Sequence, residues 1–225
     1  MTTALIIGAG AGLSASLARK LAARGHQIVL AARDVSDLGE LADETGAICV
    51  PCNARDRGDL ERLFAEVDAT GSPLSVAVYN PSARVRGPVQ DLDPEAVENA
   101  ILISAYGAFL MAHHASKRML ETGSGAMLFT GASAGVKGFA QSSTFAMGKF
   151  ALRGLCQSLA RELHPKGIHI GHFVIDGGIT KTPDANDGNA QLDPDAIAES
   201  YLHFLDQHPS SWAWEIELRP WVERF

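Results

Sequence analysis

Short apolar runs alternate along the chain with longer stretches in which apolar positions recur at helical spacing. Ala4–Ile7, Gln27–Ala31, Ala47–Val50, Ser75–Tyr79, Ala126–Thr130, Ile168–Ile175 and Glu215–Leu218 read as strands. Leu13–Arg24, Asp56–Ala69, Pro94–Glu121 and Ser143–Leu163 carry helical periodicity and lie between them. Strands that are apolar at nearly every position belong to a sheet covered on both faces. Their alternation with helices predicts an α/β fold built on a doubly wound parallel sheet of about seven strands. No repeat and no low-complexity linker divides the chain, so residues 1–225 are expected to form one domain. The loosest stretch, Thr180–Asp195, is rich in Asp, Asn, Gly and Pro and reads as a substrate loop. Trp212, Trp214, Trp221 and Phe225 crowd an aromatic tail over 211–225, where Trp214, Ile216 and Leu218 alternate with Glu215 and Glu217 as in a half-buried edge strand.

Composition narrows the class. With 46% hydrophobic and 20% charged residues, the 225-residue chain is ordinary for a globular protein. A net charge of −7 argues against an extended nucleic-acid surface. No uninterrupted apolar run reaches membrane-spanning length, so no membrane helix is expected. The N-terminus lacks a basic segment and becomes Gly-rich too soon for an export signal, and the three cysteines are an odd count, which together predict a reducing, cytoplasmic setting. Cys49 and Cys52 form a C-x-x-C, but they flank Val50-Pro51 at the end of an apolar run and read as a strand end and loop. Neither they nor the pairs His113-His114 and His169/His172 complete a ligand set, so no metal is predicted.

The first strand runs directly into Gly8-Ala9-Gly10-Ala11-Gly12-Leu13-Ser14, and a helix follows. A strand, a glycine turn and a helix N-terminus together make an anion site, since free N–H groups and the helix dipole favour a pyrophosphate. The spacing Gly-x-Gly-x-x-Gly fails because Leu13 stands at the last glycine. Gly-x-x-x-Gly-x-Gly fits through Gly8 and Gly12, with Ser14 in the last position. At the end of the second strand, an NAD site needs a carboxylate for the ribose and an NADP site a cation for the 2′-phosphate. Ala32 is neutral and Arg33 is a fork suited to phosphate, which favours NADP(H) over NAD(H). A two-residue slip in alignment would instead make Asp34 the ribose acid.

With these features in place, nearly the whole chain resembles the short-chain dehydrogenase/reductase family. Gly8, Gly12 and Ser14 match its glycine turn. Cys52-Asn53-Ala54 resembles the segment that meets the adenine, and Tyr79-Asn80-Pro81-Ser82 the Asn-Asn-Ala-Gly motif, retaining only Asn80. Arg161–Ile168 resembles the end of the long sixth helix and the start of the sixth strand. Asp176-Gly177-Gly178-Ile179, followed by Thr180 and Thr182, resembles the segment that embraces the nicotinamide, with Asp176 in the place of a proline. The resemblance implies a Rossmann-like fold and a homodimer or homotetramer. It also implies cofactor contacts at Gly8, Gly12, Leu13, Ser14, Arg33, Asn53, Asn80, Lys149, Ile179 and Thr182. The family motif Tyr-x-x-x-Lys aligns with Phe145-Ala146-Met147-Gly148-Lys149, so Lys149 is retained and the tyrosine is Phe145. The family's catalytic Ser falls on Ala132 and its Asn on Ser104.

A phenyl ring has no proton to give, and general-acid help is typically worth about 10²–10⁴-fold. Hydride transfer belongs to the cofactor and survives the exchange. Three substitutes for the phenol stay open: a hydroxyl of Ser133, Ser142, Ser143 or Thr144; Lys149 itself, if burial lowers its pKa; or a substrate that carries its own acid or is an imine or activated alkene. Asp176 is read as a cap on the Gly177-Gly178 turn, with a functional role beside the nicotinamide as the alternative. The expected function is an NADP(H)-binding oxidoreductase with an atypical catalytic site, acting on a small carbonyl, imine or activated alkene. The alternative is a non-catalytic NADP(H) sensor or scaffold.

Overall fold

The structure is a computed structural model that describes residues 1–180 and 189–222. Seven strands form one sheet: β1 (Thr2–Ile7), β2 (His26–Ala32), β3 (Ile48–Pro51), β4 (Leu74–Tyr79), β5 (Gly125–Thr130), β6 (Ile168–Ile175) and β7 (Glu215–Leu218). Their spatial order is β3-β2-β1-β4-β5-β6-β7, and every pairing is parallel. Alternate side chains of each central strand serve opposite faces. Leu5, Ile7, Val29, Ala31, Ala77, Tyr79, Met127 and Phe129 join one core cluster, while Ala4, Ile6, Ile28, Leu30, Val76, Val78, Ala126 and Leu128 join another.

Helices cover both faces. On one lie α3 (Arg57–Ala69), α5 (Gly107–Thr122) and α6 (Ser143–Leu163); on the other lie α1 (Leu13–Ala23), α2 (Gly39–Thr45) and α7 (Pro194–Leu205). Each fully buried Leu or Ile in these clusters contributes about 1.5–3 kcal/mol relative to exposure, before the entropy of ordering the chain. The strand order reverses between β1 and β4, and ligands of open α/β sheets bind at the strand C-termini beside such a reversal.

The structure departs from the sequence expectation within Pro94–Thr122 and at the far end of the loop. The stretch Pro94–Glu121 is interrupted: α4 (Pro94–Ile101) passes through a π-helical turn, Leu102–Tyr106, into α5. This whole segment, Pro94–Thr122, is long and apolar enough to cross a membrane by length and composition alone, which the sequence reading did not anticipate. Here Ala108, Met111, Ala115 and Met119 are buried in the core. The expected loop over 180–195 is shorter at its far end, because Asp193 caps α7 by accepting from the Asp195 N–H and the helix starts at Pro194. Leu192 pairs with Ile179 across the loop's two arms. In the aromatic tail, β7 is the edge strand beside β6. Trp212 stacks on His169 with ring centroids 4.3 Å apart, Trp214 packs against the first core cluster, and only Trp221 stands in solvent. Phe225 lies outside the described residues.

Candidate functional site

Two adjoining cavities run along the C-terminal ends of the strands and share Asn80, Ser82 and Arg84. The first, about 870 Å³, is lined by Gly8, Ala9, Ala32, Arg33, Asp34, Asn53 and their neighbours. The second, about 860 Å³, is lined by Thr130, Ala132, Ser133, Lys137, Ser142, Phe145, Lys149, Asp176 and Ile179, among others. Together they make one trench across the reversal between β1 and β4.

The glycine turn is shaped by its neighbours on one side and left open on the other. Gly8 has φ +81°, and a Cβ there would stand 2.7 Å from the Pro81 nitrogen, so no other residue fits. At Gly10 and Gly12 nothing lies within 4 Å of where a Cβ would stand, so their bareness serves no packing within the chain. Leu13 is buried in the second core cluster and lines neither cavity. The Ser14 hydroxyl donates to the Gly8 carbonyl at 2.9 Å and accepts from Asn80 Nδ2 at 2.7 Å. Ser14 and Asn80 therefore brace the turn with their side chains, while the Asn80 N–H holds the Ile7 carbonyl at 3.0 Å.

At the adenine end, Arg33 is exposed into the cavity and makes no ion pair among the described residues. Asp34 accepts from the Ser36 N–H at 2.9 Å, and that bond holds its carboxyl below the usual range. The Asn53 N–H donates to Asp59 Oδ2 at 2.7 Å, which fixes the segment after β3. Burial pushes the Cys52 thiol up to about 12, so it is no thiolate at neutral pH.

At the other end, Phe145 and Lys149 stand one turn apart on α6 and share its cavity-facing side. Phe145 packs with Ala132 and Ala134 in a small apolar cluster of its own. Lys149 is 2% exposed, and its Nζ donates to the Thr130 carbonyl at 2.7 Å. Burial, followed by repulsion from Arg84, lowers its pKa from 10.5 to about 8. The Thr130 hydroxyl is bonded in turn to Tyr201 at 2.9 Å. Ser104 lies in the π-helical turn, buried, and its hydroxyl accepts from the Ala83 N–H at 3.4 Å. Gly148 leaves room for it, since a Cβ at Gly148 would stand 2.7 Å from the Ser104 Cβ. Of the hydroxyls weighed as proton donors, Ser133 and Ser142 line the cavity, whereas Thr144 Oγ1 is buried without a partner and Ser143 is not part of the lining.

Asp176 does not cap the turn that follows it. Its carboxylate instead lies 3.7 Å from Lys137 and 3.6 Å from Arg219, two cations from distant parts of the chain. Ile179 lines the cavity, and Thr182 lies outside the described residues. The sequence reading missed three features. Tyr79 donates its hydroxyl to the Ile103 carbonyl at 2.5 Å and so supports the π-helical turn that carries Ser104. His172 is buried and neutral, its pKa lowered to about 4 by desolvation, and it bonds Glu215, which also receives Arg153. Arg84 lies over the Phe145 ring, 4.1 Å from its centroid. The pair Arg84/Arg86 just after Asn80 was the visible signal for the last of these.

Residues 2–193 match the family model of the short chain dehydrogenases. A 3-oxoacyl-[acyl-carrier-protein] reductase, MabA, of Mycobacterium tuberculosis is 29% identical over 164 residues, which cover 73% of this chain and 64% of that protein's length. A short-chain dehydrogenase from Rhodopseudomonas palustris superposes with a TM-score of 0.86 at 31% identity, covering 98% of this chain and 99% of that one. A metagenomic short-chain oxidoreductase solved in complex with NADP shares the fold, with a TM-score of 0.85 at 23% identity and 98% of each chain covered.

Proposed function

The chain belongs to the short-chain dehydrogenase family, whose members are oxidoreductases, and from that premise we propose an NADP(H)-dependent enzyme in which a lysine handles the proton. The observation that carries this reading is the composition of the substrate end. Ala132, Ala134 and Phe145 form an apolar patch where the family resemblance expects hydroxyls, and Lys149 is the buried amine on the same cavity, whose buried acid, Asp176, is held by Lys137 and Arg219. The residues fit the dinucleotide. Gly10 and Gly12 leave open space at the helix N-terminus, Arg33 lines the cavity as an exposed fork without an ion pair among the described residues, and Asp34 is engaged by Ser36. These features favour NADPH over NADH.

When bound, the nicotinamide exchanges a hydride with the substrate carbon. The chain's own task is the proton. The Lys149 ammonium, anchored on the Thr130 carbonyl, gives a proton from Nζ to the substrate oxygen as the C=O π electrons move onto that atom. The neutral amine then regains a proton from water. A group with a pKa of about 8 is matched to such a transfer near neutral pH, where an ordinary lysine gives up its proton reluctantly. Ser133, beside Ala132, is placed to orient the substrate. The substrates are small carbonyls, imines or activated alkenes. Exposed Phe109 and Leu120 on α5 and Met147 and Phe150 on α6 support a homo-oligomer, which sedimentation velocity tests directly.

Fluorescence titration with NADPH and NADH, followed by a turnover panel over the three substrate classes, tests the reading. NADPH is expected to bind more tightly than NADH, and at least one class to turn over. The double variant Phe145→Tyr with Ala132→Ser is expected to gain carbonyl reduction by about 10²-fold or more. Indifference to both nucleotides contradicts the reading outright. NADPH binding without turnover on any class points to the sensor instead.

A further inference from the structure

The substrate-side cavity carries a charge pattern opposite to that of the chain. Against an overall net charge of −7, the described residues that line it include Arg84, Arg86, Lys137 and Lys149 and, among carboxylates, Asp176 alone. Three of these groups are accounted for. Asp176 lies between Lys137 and Arg219, and Lys149 is bonded to Thr130. Arg84 and Arg86 are not: neither makes a hydrogen bond or ion pair among the described residues, and of the two it is the Arg84 guanidinium that rests over the Phe145 ring. Arg84 is exposed in the cavity, and partial desolvation followed by the neighbouring Arg86 disfavours its charge. An arginine stays protonated regardless, so an anion brought into the cavity would relieve that cost.

Its placement is firm. The segment leading to Arg84 is tied down by the Asn80 N–H on Ile7, by Asn80 Nδ2 on Ser14 and by the Ala83 N–H on Ser104. A guanidinium held over a ring by its central carbon still has edge N–H groups free for a carboxylate, which it takes through two parallel bonds.

We propose that Arg84 is the substrate-recognition residue of this site and that the substrate is a small carbonyl compound bearing a carboxylate, clamped by the Arg84 guanidinium on its Phe145 platform. The inference rests on the hydride-transfer reading above and names its substrate class. It also gives the aromatic ring a use that a phenol is not needed for.

The test is calorimetric titration of the NADPH-loaded protein with oxamate, a carboxylate next to an unreactive amide carbonyl, and with its neutral ethyl ester. Oxamate is expected to bind about 10–100-fold more tightly than the ester, the range of a charge-assisted bidentate contact. Arg84→Gln should bring the ratio close to one with NADPH affinity unchanged, and Arg84→Lys should keep part of it. Equal binding of acid and ester, or a ratio that survives Arg84→Gln, overturns the proposal. Loss of NADPH affinity in Arg84→Gln also overturns it, by assigning the arginine to the cofactor. Inorganic phosphate competing as well as oxamate does so too, by making the site a general anion hole. If NADPH itself fails to bind, the hydride-transfer reading falls, and the same titration without nucleotide still decides the role of Arg84.

Discussion

Lys149 offers a prediction in which stability and activity move in opposite directions with pH. Its Nζ is buried and its pKa is lowered from 10.5 to about 8, first by desolvation and then by Arg84. Below pH 8 the folded chain holds a cation out of water that the unfolded chain leaves hydrated, and the full burial cost is present. Between about pH 8 and 10.5 only the unfolded chain keeps the proton, so folding stability rises with pH through that window. At about 1.4 kcal/mol per pH unit, the cost relieved between pH 7 and 10 is about 2–3 kcal/mol. The perturbation is Lys149→Met, which removes the charge at every pH. The assay is urea unfolding of both proteins across that range. Comparing them cancels every other titrating group, and it also cancels the pH-independent loss of the bond to Thr130. The stability of the wild type relative to the variant should climb by about 2–3 kcal/mol from pH 7 to 10. Over the same window the wild type's reduction rate should fall about tenfold per unit above pH 8, as the ammonium disappears. A stability difference that stays flat with pH would refute the buried cation, and with it the argument for a lysine acid.

Three further outcomes follow from the trench and its support. Arg33→Ser should weaken NADPH by about 10–100-fold and leave NADH unchanged; equal loss for both nucleotides in a fluorescence titration would remove Arg33 from the 2′-phosphate. Gly8→Ala imposes a side chain at φ +81° against Pro81, adding about 1–2 kcal/mol of backbone strain to the collision. Its melting temperature and NADPH affinity should fall together. Glu215→Ala strips the acceptor from Arg153 and from fully buried His172, whose Nε2 is already unpartnered, and should cost about 2–3 kcal/mol by urea denaturation. A loss within a few tenths of a kcal/mol would show that the β6–β7 network is idle.

The central strands were legible because a sheet buried on both faces leaves few polar positions within a strand, and the edge strand β7 by its alternation with Glu215 and Glu217; both patterns are local. Helix α2 was not, because its seven residues bury only Leu41 and show no periodic face. The start of α7 was hidden inside a polar run, although Asp193-Pro194 is itself a helix-start signal: a capping side chain followed by a residue with no N–H to lose. The π-helical turn had no local signature, since its support comes from the Tyr79 hydroxyl on another element. The same holds at the site. Gly8, Arg33, Phe145 and Lys149 stood out by position within a motif. Arg84 on Phe145 and the partners of Asp176 depend on long-range packing. Lys137 and Arg219 reach Asp176 from opposite sides of it in sequence, which turned an expected turn cap into an ion-paired carboxylate.

The most direct measurement is deuteride tracing: NADPH carrying deuterium at C4 is mixed with the purified chain and a panel of oxo acids, and the products are read by mass spectrometry. A hydroxy acid labelled at the former carbonyl carbon, formed by the wild type and lost in Lys149→Met, is the predicted result. Unlabelled starting material throughout, with NADPH demonstrably bound, would contradict the account.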